Sequence, residues 1–85
     1  MVKPNPKPKP KPTRVTNSIR SLRFTHGEMT QAQLADRIGV SRQTVIAIEQ
    51  GRYSPSLEMA FQIAKVFQVP LDDVFQYSDH EEETP

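Results

Sequence analysis

Along the middle of the chain, apolar residues recur three and four positions apart, the spacing of one face of an α-helix. Ile19 and Leu22 open the series, with Asn17 or Ser18 as a start signal and Gly27 as a stop. Thr30 precedes the run Gln31 to Ile38, in which Leu34, Ala35 and Ile38 share one face. Thr30 and Gln33 have the spacing of a capping box. Gly39 follows, where a helix that stops abruptly wants a residue with positive φ. Ser41 suits the cap of a third helix, Arg42 to Gln50, with Val45 and Ile48 inward and Gly51 at its end. Tyr53-Ser54-Pro55-Ser56 is turn chemistry. Leu57, Ala60, Ile63, Ala64 and Phe67 mark a fourth helix. Pro70 forbids its continuation, and Leu71-Asp72-Asp73-Val74-Phe75 suits a short fifth helix with Pro70 near its start. No segment alternates with the period of two that marks a strand. The pattern predicts an all-α fold of five short helices.

The two ends of the chain lack this pattern. In residues 1–12 five prolines alternate with lysines and one asparagine, with almost no apolar surface to bury. Each proline removes an amide donor and pushes the residue before it toward extended geometry. Residues 1–15 are therefore expected to be a disordered Lys/Pro-rich tail of polyproline-II character. Residues 78–85 carry Asp79, Glu81, Glu82 and Glu83, and such a run of like charge predicts a second disordered tail. The folded domain expected from these boundaries is residues 16–77, a size that supports one modest core.

Charge changes the picture more than composition does. The 85 residues sum to +1. Residues 1–52 nevertheless hold ten Lys or Arg against three acids, a balance of +7, while residues 53–85 come to −6. A basic half of this kind is suited to a polyanion. There is no cysteine, which excludes disulfide staples and thiolate metal sites. No apolar run approaches a membrane span, and no apolar core follows the N-terminal lysines as in a secretory signal. The natural reading is a cytoplasmic chain.

The second and third expected helices, joined by a short turn containing Gly39, have helix-turn-helix form. Ala35 is small where the two helices cross, Val40 plugs the apolar side of the turn, and Val45 and Ile48 anchor the second helix from below. Arg42, Gln43, Thr44, Ala47 and Gln50 then point outward. Arginine suits the O6 and N7 of guanine, and glutamine suits the N6 and N7 of adenine.

The run Met29 to Gly51 resembles the helix-turn-helix of the Cro and lambda-repressor-like regulators, the Xre type. The flanks agree: Asn17 to Arg23 resembles the first helix of the family, Tyr53 to Leu57 with Ile63-Ala64 the fourth, and Val69 to Phe75 the fifth. The likeness covers about residues 17–77 and is closest to the short members with a single domain. It implies that Gln31 contacts phosphate and braces the recognition helix. Ser41, Arg42 and Gln43 would face base edges and backbone, Thr44 a phosphate or a thymine methyl, and Arg52 a phosphate. Ala47 stands where relatives often carry a longer polar reader. Arg23 and Glu49 match a pair that many members use as an internal salt bridge. Glu28 makes the loop before the second helix one residue longer than usual.

Other residues admit plainer readings. Val45, Ile48, Leu34 and Ile63 are core. His26 and His80 lack ligand spacing and are expected to be solvated. Asp72 and Asp73 suit a helix start rather than a catalytic pair. No nucleophile-and-base set and no phosphate loop is present, so an enzyme is not expected, nor any cofactor, metal site or evident small-molecule effector. The Lys/Pro segment fits either a plain flexible extension or a DNA-contacting arm. The expected partner is double-stranded DNA, bound as a homodimer on a palindromic operator, with no membrane partner. Val74, Phe75 and Tyr77 are expected to supply the surface shared between copies. A reading of a different class is an antitoxin-like protein that neutralises a partner and regulates its own operon.

Overall fold

The computed structural model describes residues 14–77 of the chain. The expected tails at residues 1–13 and 78–85 lie outside the described residues. In chain order the elements are β1 (Val15–Asn17), α1 (Ile19–Thr25), α2 (Gln31–Ile38), α3 (Arg42–Glu49), α4 (Leu57–Phe67), α5 (Leu71–Val74) and β2 (Phe75–Tyr77). Among the described residues there are five helices, as the apolar pattern predicts.

The two strands correct the expectation that no strand forms. β1 and β2 pair antiparallel, with Val15 opposite Tyr77, Thr16 opposite Gln76 and Asn17 opposite Phe75. Three residues are too few to display a period of two. β1 also begins one residue before the domain boundary expected at residue 16. The ribbon closes the domain by joining the segment before α1 to the segment after α5. A backbone bond from Ser18 N–H to the Val74 carbonyl, 2.8 Å, continues the closure.

Local chemistry sets the helix ends. Thr30 Oγ1 accepts from Gln33 N–H at 3.0 Å, and Gln33 Oε1 accepts from Thr30 N–H at 2.8 Å, a complete capping box. Ser41 Oγ accepts from Thr44 N–H at 3.1 Å, and Ser56 Oγ from Met59 N–H at 3.1 Å. Gly39 ends α2 at φ 77°, the left-handed geometry expected of it. Gln68 ends α4 in the same region, at φ 59°, although it carries a side chain.

The core is continuous across all five helices. Ile19, Leu34, Val45, Ile48, Ile63, Phe67 and Val74 are fully buried. Burying one such side chain is worth about 1.5–3 kcal/mol, so these residues outweigh any single polar contact in the domain. Val74 corrects a second expectation. It is completely enclosed and offers nothing to another copy. α5 ends there, and Phe75 is extended at φ −123°, ψ 138°, half-buried against the core. His26 is exposed, as expected. Its ring meets Phe67 edge-on at 5.2 Å, and its Nδ1 lies 2.9 Å from the Leu22 carbonyl. The histidine stays exposed to solvent while one edge of its ring rests on Phe67.

Candidate nucleic-acid interface

α3 meets the core with Val45 and Ile48, both almost completely buried. Because α-helical neighbours lie three and four apart, Arg42, Gln43 and Gln50 are left exposed, and Thr44 and Ala47 half-exposed. Ala35 is nearly buried where α2 crosses α3, and Val40 N–H donates to the Ala35 carbonyl at 3.0 Å, which closes the turn. The small residue lets the helices approach, and the approach turns the polar face of α3 outward.

That face lies between two depressions. The larger, about 690 Å³, runs between α1, the start of α2 and α3; Arg20, Phe24, Gln31, Arg42 and Glu49 are among its walls. The smaller, about 340 Å³, is lined by Gln43, Thr44, Ala47, Arg52 and Tyr53. The structure thus brings Gln31 and Arg42 to one side of α3, and Gln43, Thr44 and Arg52 to the other.

Each expected site residue has a defined setting. Gln31 Nε2 donates to Glu49 Oε1 at 3.1 Å, so the residue that opens α2 braces the end of α3. Ser41 is occupied as the cap, and its hydroxyl lies 3.0 Å from that of Thr44. With that hydroxyl engaged, the Thr44 methyl is the part left for contact. Arg42 has no carboxylate partner among the described residues. Arg52 Nε donates to Gln50 Oε1 at 2.9 Å, and its N–H donates to the Ala47 carbonyl at 3.0 Å, which folds it back along the end of α3. Arg23 pairs with Glu49 on the floor of the larger depression, the internal salt bridge that the family resemblance implies.

The helix pattern alone did not single out Arg20, Phe24 or Tyr53. Arg20 lies with its guanidinium carbon 5.9 Å from the centre of the Phe24 ring, and Phe24 is half-exposed. The signal was available, since a cation and an aromatic four residues apart meet on one helix face. Tyr53 adjoins Arg52 and is likewise exposed. In the lengthened loop, Gly27 at φ 78° and Glu28 at φ 55° are both left-handed, and Glu28 lines the larger depression. Glu28 therefore shares the walls of that depression with Arg42 and Gln31.

A family model described as helix-turn-helix matches residues 19–74. The chain belongs to the Xre-type helix-turn-helix family. This helix-turn-helix chain is 52% identical to an HTH-type transcriptional regulator of Methanocaldococcus jannaschii, over 76% of its own length and 97% of the relative's. It is 46% identical to the HTH-type transcriptional regulator YgzD of Bacillus subtilis, over 69% of its own length and 88% of the relative's. It is 34% identical to the cryptic phage CTXphi transcriptional repressor RstR of Vibrio cholerae, over 75% of its own length and 57% of the relative's. A crystal structure of a candidate DNA-binding protein from Bacteroides fragilis shares the fold, with TM-score 0.64 and 22% identity, over 73% of this chain and 98% of that one. The helix-turn-helix family is one of DNA-binding transcriptional regulators, not of enzymes. Among the described residues no helix is long and apolar enough to cross a membrane.

Proposed function

We propose that this regulator acts in the cytoplasm by binding a palindromic operator as a homodimer, with α3 in the major groove. The observation that carries the reading is Arg42, without a carboxylate partner among the described residues, beside exposed Gln43 at the capped start of a helix whose opposite face is locked into the core. Arg42 and Gln43 read base edges, and the Thr44 methyl contacts a thymine. Gln31, Ser41 and Arg52 hold phosphates on the two sides of α3. The Lys/Pro segment adds phosphate contacts of its own.

Dimerisation is supported by an apolar depression on a different face. Val15, Pro55, Leu57, Leu71 and Phe75 line it, and Leu57 and Tyr77 are each about two-thirds exposed, at 67% and 66%. In this reading Phe75 and the exposed Tyr77 supply shared surface, with Leu57 in place of the enclosed Val74. One recognition helix covers few base pairs, and a two-fold dimer reads two half-sites roughly 34 Å apart.

Selection from a random duplex pool, followed by footprinting upstream of the protein's own gene, tests the reading. The expected product is a symmetric site with half-sites one helical turn apart, occupied by two chains. Recovery of no preferred sequence, or a complex containing one chain, sinks it.

A further inference from the structure

Asn17 lies outside the helix-turn-helix and lines neither depression beside α3. The two ends of its side chain serve different elements. Oδ1 accepts from Ile19 N–H at 3.2 Å, at the start of α1. Nδ2 donates to the Ile48 carbonyl at 2.9 Å and lies 3.5 Å from the Glu49 carbonyl. Both carbonyls belong to the last turn of α3, beyond the reach of its i to i+4 bonds, and the Gln50 backbone N–H also donates to Ile48. Gly51 N–H also reaches Ile48, at 3.0 Å. For Glu49 the Asn17 amide is the donor found among the described residues. The Asn17 backbone is at the same time the ribbon partner of Phe75, which lines the apolar depression. One partly buried amide thus joins β1, α1, α3 and, through the ribbon, the face at which a second copy is proposed to sit.

We infer that Asn17 is a positioning residue for base reading: its amide holds the far end of α3 and so sets the tilt at which Arg42 and Gln43 enter the groove. This rests on the DNA-reading role proposed above. α3 has eight residues, so it is about 12 Å long. Pivoting a rod of that length by ~10° about its buried middle displaces each end by ~1 Å. A base-edge hydrogen bond tolerates only a few tenths of an ångström, whereas long cationic side chains on phosphates follow such a shift. Losing the amide should therefore weaken sequence preference, although Arg23 and Gln31 still hold Glu49, and leave phosphate binding in place. A contribution to stability alone would not separate the two.

The test uses the full chain and the duplex that it selects from a random pool, against a scrambled duplex of equal length, over a range of salt. Asn17→Ser keeps a neutral side-chain oxygen for Ile19 N–H but is too short to reach Ile48. The expected result is a drop of about tenfold in operator affinity, with scrambled-duplex affinity, salt slope and helical circular dichroism unchanged. An operator-to-scrambled ratio equal to that of the parent overturns the inference, as does an equal loss on both duplexes. If the serine variant does not fold, Asn17→Asp replaces it, since it keeps the shape and the acceptor and exchanges the donor for a charged oxygen. Its added charge weakens both duplexes, so the ratio between them is the readout, and an unchanged ratio again overturns the inference. A parent chain that selects no sequence would sink the DNA-reading role itself, which is a distinct result.

Discussion

Arg23 holds Glu49 with two nitrogens, Nε to Oε2 at 2.7 Å and Nη2 to Oε1 at 3.2 Å, and both side chains are about nine-tenths buried. Arg23 Nη1 also donates to the Met29 carbonyl at 2.9 Å, and Gln31 shares Glu49 Oε1. The pair therefore ties α1, the loop before α2, the start of α2 and the end of α3 into one polar knot. Removing one partner leaves the other charge enclosed. Glu49→Ala is expected to lower unfolding stability by about 3–5 kcal/mol, while the double change Arg23→Met with Glu49→Leu recovers most of that loss. Urea titrations followed by circular dichroism decide the matter. A single-variant cost under about 1 kcal/mol would place the pair with ordinary surface ion pairs.

Arg42→Ala and Gln43→Ala should each cost about 1–3 kcal/mol on the selected operator and relax preference at one base pair per half-site. Neither residue packs in the core, so the thermal midpoint should barely move. Competition binding against operators mutated one base pair at a time gives the comparison. Unchanged preference in both variants would remove them from base readout.

Gly39 and Gln68 test the same backbone geometry from opposite directions. A Cβ added at Gly39 would meet nothing within 4 Å, so Gly39→Ala introduces backbone strain and no clash. The expected loss is about 1–2 kcal/mol. Gln68 already carries a side chain at φ 59°, and Gln68→Gly should raise stability by up to about 1 kcal/mol. Opposite signs in thermal melts are expected, and equal signs would refute the backbone explanation.

Val15 and Tyr77 are ribbon partners, so the basic segment before Arg14 and the acidic segment after Tyr77 join the domain at the same end of the ribbon. Each lysine that neutralises a phosphate steepens the log–log salt dependence by roughly 0.9. Deleting residues 1–12 should flatten that slope and weaken specific and non-specific binding alike. Deleting residues 78–85 should strengthen binding at low salt, because four acids no longer compete for the lysines. A slope that survives the first deletion would reduce the segment to a plain extension. A loss confined to the operator would mean that it reads sequence.

Glu28 carries a carboxylate and a left-handed backbone in the loop that borders the larger depression. Glu28→Asn keeps a residue that tolerates this geometry and removes the charge. Non-specific DNA affinity should rise by a factor of a few, with little change in stability. A fall in affinity would show that the carboxylate positions Arg42 or Gln31 instead of repelling phosphate.

The apolar spacing of Leu34, Ala35, Ile38, Val45 and Ile48, with caps at Thr30 and Ser41, determined the helices and the polar face of α3 by itself. These signals are local: a cap acts within three residues, and a helix face repeats within four. The match of Arg23 to Glu49 was also legible, through family resemblance rather than spacing, since the two stand 26 positions apart. What only the tertiary structure decided is non-local. The ribbon joins residues about 60 positions apart through strands too short to carry a pattern. Val74 follows the motif and its position in the sequence suggests surface, yet in the folded chain it is completely enclosed. Asn17 was legible only as a helix start, because its amide reaches carbonyls 31 and 32 positions away that no local rule connects to it. A backbone carbonyl carries no residue-specific mark, so its partner is found only when the chain is folded.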